Sequence, residues 1–178
     1  QDEMDYETQD EVAADDLTGR CLIAFRINQK SKTEQQKMDM VVQNQNVYVI
    51  SNIHNDADGF KALLKKIDFS PEDILIIDGD IFDRGEKPVE LYFEILKYSN
   101  IQGNHDVWVA REIGEKFAGE KVGQYIAYNT VSIMEKRLTP VDLLNLADWI
   151  ESKPFYINLE LDGVKYQIAH AQTYLSPE

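Results

Sequence analysis

From Met38 onward the chain alternates two kinds of apolar pattern, and that alternation constrains its fold more than any other feature. "VYVIS" (Val47 to Ser51) and "DILIID" (Asp73 to Asp78) are short, β-branched runs of strand length. Between and after them apolar residues recur with helical period: Phe60, Leu63, Leu64 and Ile67, then Val89, Tyr92, Phe93 and Leu96. Strand, helix, strand, helix predicts an α/β layered domain. Further helices are expected over Asp106–Phe117 and Gly123–Arg137. Another starts at "TPVD" (Thr139 to Asp142), where a hydroxyl cap, a first-turn proline and an acid three residues on define a helix N-terminus. It should run to about Glu151, with Leu143, Leu144, Leu146, Ala147 and Ile150 as core. "PFYINLELDGVKYQIAHA" then reads as a hairpin turning at Asp162-Gly163.

The amino-terminal part is different. Residues 1–20 hold eight acids against Arg20 alone, which is half of the net charge of −14. We read residues 1–37 as an acidic, solvated tail, a possible strand at Cys21–Asn28 and a polar linker, and residues 38–178 as the folded domain. The negative charge argues against binding a nucleic-acid backbone. No apolar run reaches membrane-spanning length, and the acidic start lacks the layout of a secretory signal. Cys21 is the single cysteine, so no intrachain disulfide forms and a cytoplasmic setting is expected.

The chemistry gathers in four polar clusters, each after an apolar segment: "SNIHND", "GDIFDRG", "GNHD" and "AHAQ". Ligand sites in open α/β sheets collect beyond the carboxyl ends of strands. The chain has three histidines, His54, His105 and His170, and each falls in one of these clusters. Histidine, carboxylate and amide oxygen suit hard-to-borderline divalent cations, and two such ions sharing a carboxylate can clamp a phosphoryl oxygen. Asp80, at the tightest glycine-led turn, is the natural bridge. Trp108 and Trp149 are read as packing residues.

The ordered set "NIH…GDIFDRG…GNHD…H" resembles the calcineurin-like metallophosphoesterase superfamily, and "DRG" with "HAQTYLSPE" is similar to its serine/threonine phosphatase branch. The resemblance implies an α/β/β/α sandwich with mixed sheets, incomplete at its carboxyl end. It implies two divalent ions, manganese first with iron or zinc as alternatives. Asn52 and His54 would hold the first ion, Asp80 the bridge, and Asn104 and His170 the second. His105, oriented by Asp83, would protonate the leaving alkoxide. Arg84, with Asn104 and His105, would hold the substrate, a phosphorylated protein or a small phosphoester such as a nucleotide polyphosphate, and metal-bound hydroxide would attack phosphorus.

The chain departs from that pattern in four places. Asn52 stands where the family has aspartate, and Asn55 where it has glycine. Only 24 positions separate Asp80 from Asn104, leaving Ser99–Gln102 for a shortened strand. The family's later histidine and second phosphate-binding arginine have no counterpart, so a partner or further segment is expected to cover exposed sheet. A catalytically impaired, phosphatase-like binding module is the alternative reading.

Overall fold

The computed structural model describes the backbone of residues 11–15 and 21–25 and, with side chains, residues 37–119 and 129–171. The chain divides into two units, Gln1–Glu34 and Gln35–Glu178. In the first, β1 (Glu11–Asp15) pairs antiparallel with β2 (Cys21–Phe25), from Glu11 opposite Phe25 to Asp15 opposite Cys21. The acidic run read as a tail therefore contains a strand: Val12, Ala13 and Ala14 interrupt its charges. The strand expected over Cys21–Asn28 is described only to Phe25. Most of the polar linker lies outside the described residues.

The second unit carries two sheets. Strands β4 (Val47–Ile50), β5 (Ile74–Asp78) and β6 (Ser99–Ile101) form a parallel sheet in the order β4-β5-β6. Strand β3 (Lys37–Val42) pairs parallel with β7 (Tyr156–Leu161), which pairs antiparallel with β8 (Val164–Ala169). The hairpin turns at Asp162 and Gly163, with φ of 49° and 81°, left-handed values whose twist matches that of paired strands.

β5 explains the layering. Ile76 packs with Val42, Ile101, Ile157 and Leu159 between the two sheets. Its neighbour Ile77 points the other way, into a larger core with Phe60, Leu91, Ile95, Val109, Leu143 and Leu146. Successive strand side chains face opposite sides, so a continuous apolar run is what a strand covered on both faces requires. Each such side chain contributes about 1.5–3 kcal/mol on burial. The layers among the described residues are thus helices, parallel sheet and mixed sheet. The outer face of the mixed sheet is open at β8, where Val164 and Tyr166 are 53% and 49% exposed.

Helices α1 (Ala57–Lys66), α2 (Pro88–Ile95), α3 (Asn104–Ile113), α4 (Thr130–Met134) and α5 (Pro140–Glu151) have legible starts. Asp56 caps α1 by accepting the Gly59 N–H at 2.8 Å. Thr139 and Asp142 form the reciprocal box at the head of α5, with Asp142 N–H donating to Thr139 Oγ1 at 3.2 Å and Thr139 N–H to Asp142 Oδ2 at 2.8 Å. α3 continues through a π-helical turn, Gly114–Ala118, close to the helix expected over Asp106–Phe117. Of the helix expected over Gly123–Arg137, residues 120–128 lie outside the described residues and α4 forms the described part. One helical face differs from expectation. α2 buries Pro88, Val89, Leu91 and Ile95, while Phe93 is 61% exposed. The helix is apolar nearly all round, so periodicity alone could not select its inner face; Leu91 and Ile95, one turn apart, do so by packing against the parallel sheet's core.

Candidate metal and phosphoester site

The site lies beyond the carboxyl ends of the parallel strands. There the two loops stay hydrogen-bonded to each other past the β4–β5 ladder: Asn52 N–H donates to Gly79 O, His54 N–H to Asp80 O, and Asn55 N–H to Ile81 O, at 3.2, 3.1 and 2.9 Å. Six non-glycine residues in these two loops have left-handed backbones: Asn52, His54, Asn55, Asp80, Asp83 and Arg84, with φ between 49° and 84°. Asn and Asp tolerate this region; His and Arg do so at a cost that surrounding structure must offset, a pattern typical of functional loops. Glycine is required at two points. A Cβ on Gly79, itself at φ 68°, would lie 2.6 Å from His170 Cγ, and one on Gly103 would lie 2.2 Å from Asp80 N.

Those close approaches let three imidazoles converge on one oxygen. The Nε2 atoms of His170, His54 and His105 lie 3.3, 3.8 and 4.0 Å from Asp80 Oδ2. The other Asp80 oxygen accepts the His105 N–H at 3.0 Å, which fixes the rotation of a carboxylate only 5% exposed. The far nitrogen of each ring fixes its tautomer. His54 Nδ1 faces Phe82 O at 3.1 Å, His170 Nδ1 faces Asp78 O at 2.8 Å, and His105 Nδ1 faces Asp83 Oδ2 at 3.0 Å. Carbonyl and carboxylate oxygens only accept, so in the neutral rings each Nδ1 carries the hydrogen and each Nε2 keeps its lone pair. Three imidazole nitrogens and a carboxylate oxygen gathered this closely suit a bound cation. Such backbone-anchored imidazoles are how proteins aim metal ligands. Ligand atoms of His54, Asp80 and His105 lie within 4.8 Å of one another, and this nitrogen-and-oxygen donor set fits a borderline divalent ion.

The remaining expected residues border that convergence. Asn52 is exposed and its amide donates to Ser51 Oγ at 2.8 Å. Asn104 is exposed at the first residue of α3, immediately before His105. Asp83 is fully buried. Arg84 is exposed, with Nη2 3.3 Å from His105 Nε2. Trp108, expected to be a packing residue, has its ring 4.4 Å from that of His105 at 62° and so walls the site as well.

Two supports went unread in the sequence. Asp106, 1% exposed, accepts three backbone N–H groups: Ile81 and Phe82 on Oδ1 at 2.9 and 3.0 Å, and Gly103 on Oδ2 at 3.0 Å. It thereby staples the "GDIFDRG" loop to the start of α3. Burial pushes its carboxyl up to about 6, against the opposing pull of those N–H groups. Asp78, at the end of β5, is likewise raised by burial, with His170 pulling the other way. A cleft of about 830 Å³, lined by Leu64, Phe69, Ile74 and Tyr98, lies at the opposite end of the parallel strands.

The family model of calcineurin-like phosphoesterases matches residues 46–174, the stretch that supplies all of these donors. The chain belongs to that family. A curated relative of this calcineurin-like phosphoesterase is the symmetrical bis(5'-nucleosyl)-tetraphosphatase of Hamiltonella defensa subsp. Acyrthosiphon pisum (strain 5AT). It is 28% identical over 137 residues, covering 71% of this chain and 44% of the relative. Among solved structures, a candidate diadenosine tetraphosphatase superposes with a TM-score of 0.50 at 17% identity, covering 74% of this chain and 54% of that one. A protein serine/threonine phosphatase from Saccharomyces cerevisiae gives a TM-score of 0.49 at 17% identity, covering 70% and 40%. The phosphoesterase chain thus spans about half the length of the relatives it matches. No helix among its described residues is long and apolar enough to cross a membrane.

Proposed function

We propose that the chain forms the metal-binding site of a phosphoesterase that cleaves nucleotide polyphosphates, with phosphomonoesters, including phosphoserine or phosphothreonine in proteins, as the second substrate class. The observation that carries this reading is the approach of three imidazole Nε2 atoms to within 4.0 Å of Asp80 Oδ2. The preference for nucleotides rests on the tetraphosphatase relative.

Asp80, His54 and His170 would hold the cations, with the amide oxygens of Asn52 and Asn104 completing two sites that share Asp80. When bound, the ions, of which manganese is the first expectation, supply Lewis-acid polarisation of the phosphoryl oxygens and an acidified water. The other steps belong to side chains. The exposed Arg84 presents a planar fork suited to two phosphate oxygens, beside Asn104 and His105. With Nδ1–H held by Asp83, the proton that His105 can give up sits on Nε2, 3.3 Å from Arg84 Nη2. That proton goes to the leaving oxygen as the phosphorus–oxygen bond breaks. Trp108 packs its ring against the imidazole.

The test is hydrolysis of diadenosine tetraphosphate and of p-nitrophenyl phosphate with added manganese, compared with His105→Ala and with chelator. Turnover that chelator abolishes supports the reading, and turnover that is absent, or that chelator leaves unchanged, refutes it; His105→Ala is expected to lose turnover of an alkyl phosphate far more than of p-nitrophenyl phosphate, whose leaving group needs no proton. Asn52→Asp restores a negative charge to the first site and is expected to raise manganese affinity by about tenfold or more. A chain that binds manganese and phosphate with or without Asn52→Asp, yet never turns over, would be the binding module.

A further inference from the structure

Behind the Asp83–His105 pair lies a second line of buried polar groups that the proposed chemistry does not use. Asn55 is 1% exposed and Thr130, on α4, is 0% exposed. Asn55 Nδ2 lies 3.2 Å from Gly85 O and 2.8 Å from Thr130 Oγ1. Thr130 Oγ1 in turn lies 3.4 Å from Asp83 Oδ1.

The directions of these bonds follow from the partners. Gly85 O only accepts, so the nitrogen of the Asn55 amide must be the atom on that side, and its second hydrogen points to Thr130 Oγ1. Having accepted there, the Thr130 hydroxyl has its own proton for Asp83. Asp83 Oδ1 also takes the Arg84 N–H at 3.0 Å, which leaves Oδ2 for His105. From the Asn55 amide through the Thr130 hydroxyl, the donors thus lead toward the carboxylate that aims the imidazole.

We propose that Asn55 and Thr130 are positioning residues of this phosphoesterase, a relay that fixes the rotation of the Asp83 carboxylate and through it the proton-bearing face of His105. This rests on the reading of His105 as the acid. The sequence gives the relay a particular character, since Asn55 occupies a left-handed position, φ 62°, that glycine would fill at no steric cost. The asparagine side chain there links the "SNIHND" loop, the Gly85 carbonyl and α4, elements 30 and 75 positions apart in the chain.

The experiment uses Thr130→Val, nearly the same shape without the hydroxyl, and Thr130→Ser, which keeps it. The first readout is the ratio of kcat for p-nitrophenyl phosphate to kcat for an alkyl phosphate. Nitrophenolate leaves without a proton and an alkoxide does not, so a misaimed acid raises this ratio. An increase of about tenfold in Thr130→Val, reversed in Thr130→Ser, is expected. An unchanged ratio, or equal losses on both substrates, overturns the proposal. The second readout needs no turnover. The His105 Nδ1 proton, held by Asp83, gives a downfield NMR resonance in the wild type and in Thr130→Ser. It is expected to move upfield or be lost to exchange in Thr130→Val, and an unmoved resonance overturns the proposal. If the wild type hydrolyses neither ester, the functional reading fails while this resonance still decides the relay. Should Thr130→Val not fold, Asn55→Gly removes the donor to Thr130 at a position that suits glycine. The same shifts in the same direction support the relay, and their absence overturns it.

Discussion

Asp106→Ala is the perturbation whose cost can be worked most directly. Three backbone N–H groups, those of Ile81, Phe82 and Gly103, lose their acceptor at a position that is 1% exposed. No water replaces it without opening the loop. At about 1.5 kcal/mol for each hydrogen bond to a charged acceptor, the gross loss is about 4–5 kcal/mol. Part is offset, because the folded state no longer has to desolvate a carboxyl that burial holds at about 6; that returns about 1–2 kcal/mol. The expected net destabilisation is about 3 kcal/mol. Asp106→Asn is the internal comparison: its oxygen can keep the Ile81 and Phe82 donors, and only the amide nitrogen opposes the Gly103 N–H, so its cost should be about half as large. Urea unfolding of the metal-free protein measures both, through a lower midpoint at unchanged slope. A loss below about 1 kcal/mol for Asp106→Ala, or an Asn variant as damaged as the Ala variant, would show that the staple does not carry the load assigned to it.

Gly103→Ala places a Cβ 2.2 Å from Asp80 N and 2.5 Å from Asp80 Oδ1. The turn must shift, and manganese affinity measured by calorimetry is expected to fall by about tenfold or more while the helical circular dichroism stays near wild type. Arg137 holds the Glu90 carboxyl below its ordinary range, chiefly by a side-chain hydrogen bond. A depressed folded value means that this stabilisation is present above the ordinary value of 4.5 and is lost as pH falls through the folded one. Being exposed and open to screening, the pair is worth about 0.2–1 kcal/mol, so Arg137→Gln should cost that much at pH 7 and nothing at pH 2 in urea titrations. Ile77→Ala, at a fully buried site of the helix-facing core, is expected to cost about 2–5 kcal/mol in the same assay.

What could be read from the chain depended on how far each signal reaches. The Thr139–Asp142 helix start, the Asp162-Gly163 turn and the buried runs at Val47 and Ile74 are local: the residues that cause them are neighbours in sequence. The histidine convergence was legible for a different reason. All three rings sit one to four residues past a strand end, His54 and His105 beyond the parallel sheet and His170 beyond β8 of the mixed sheet. Asp106 escaped because an acid at the third position of a helix already has an explanation as a cap for Gly103. Its second function, holding Ile81 and Phe82 from 25 and 24 positions away, is purely tertiary. Thr130, 47 positions from Asp83, carries no sequence signal at all. The inner face of α2 escaped because Phe93 is as apolar as Ile95, and the strand β1 because its acidic flanks outweigh three small apolar residues. The pairing of β3 with β7 unites strands from opposite ends of the folded unit, and neither strand is distinctive alone.

The β7–β8 hairpin gives the cluster an order of assembly. His170 meets Ser51 across 119 positions of chain and Asp78 across 92, whereas Asp80 and His105 meet across 25. Contacts between such remote stretches form late, after the entropy of closing the intervening loop has been met. A nascent polypeptide emerging from the ribosome would therefore possess Asp80, His54 and His105 in a closed parallel sheet well before the fourth donor exists. Cation capture by all four donors would therefore wait on the β7–β8 hairpin, the last of these elements to arrive.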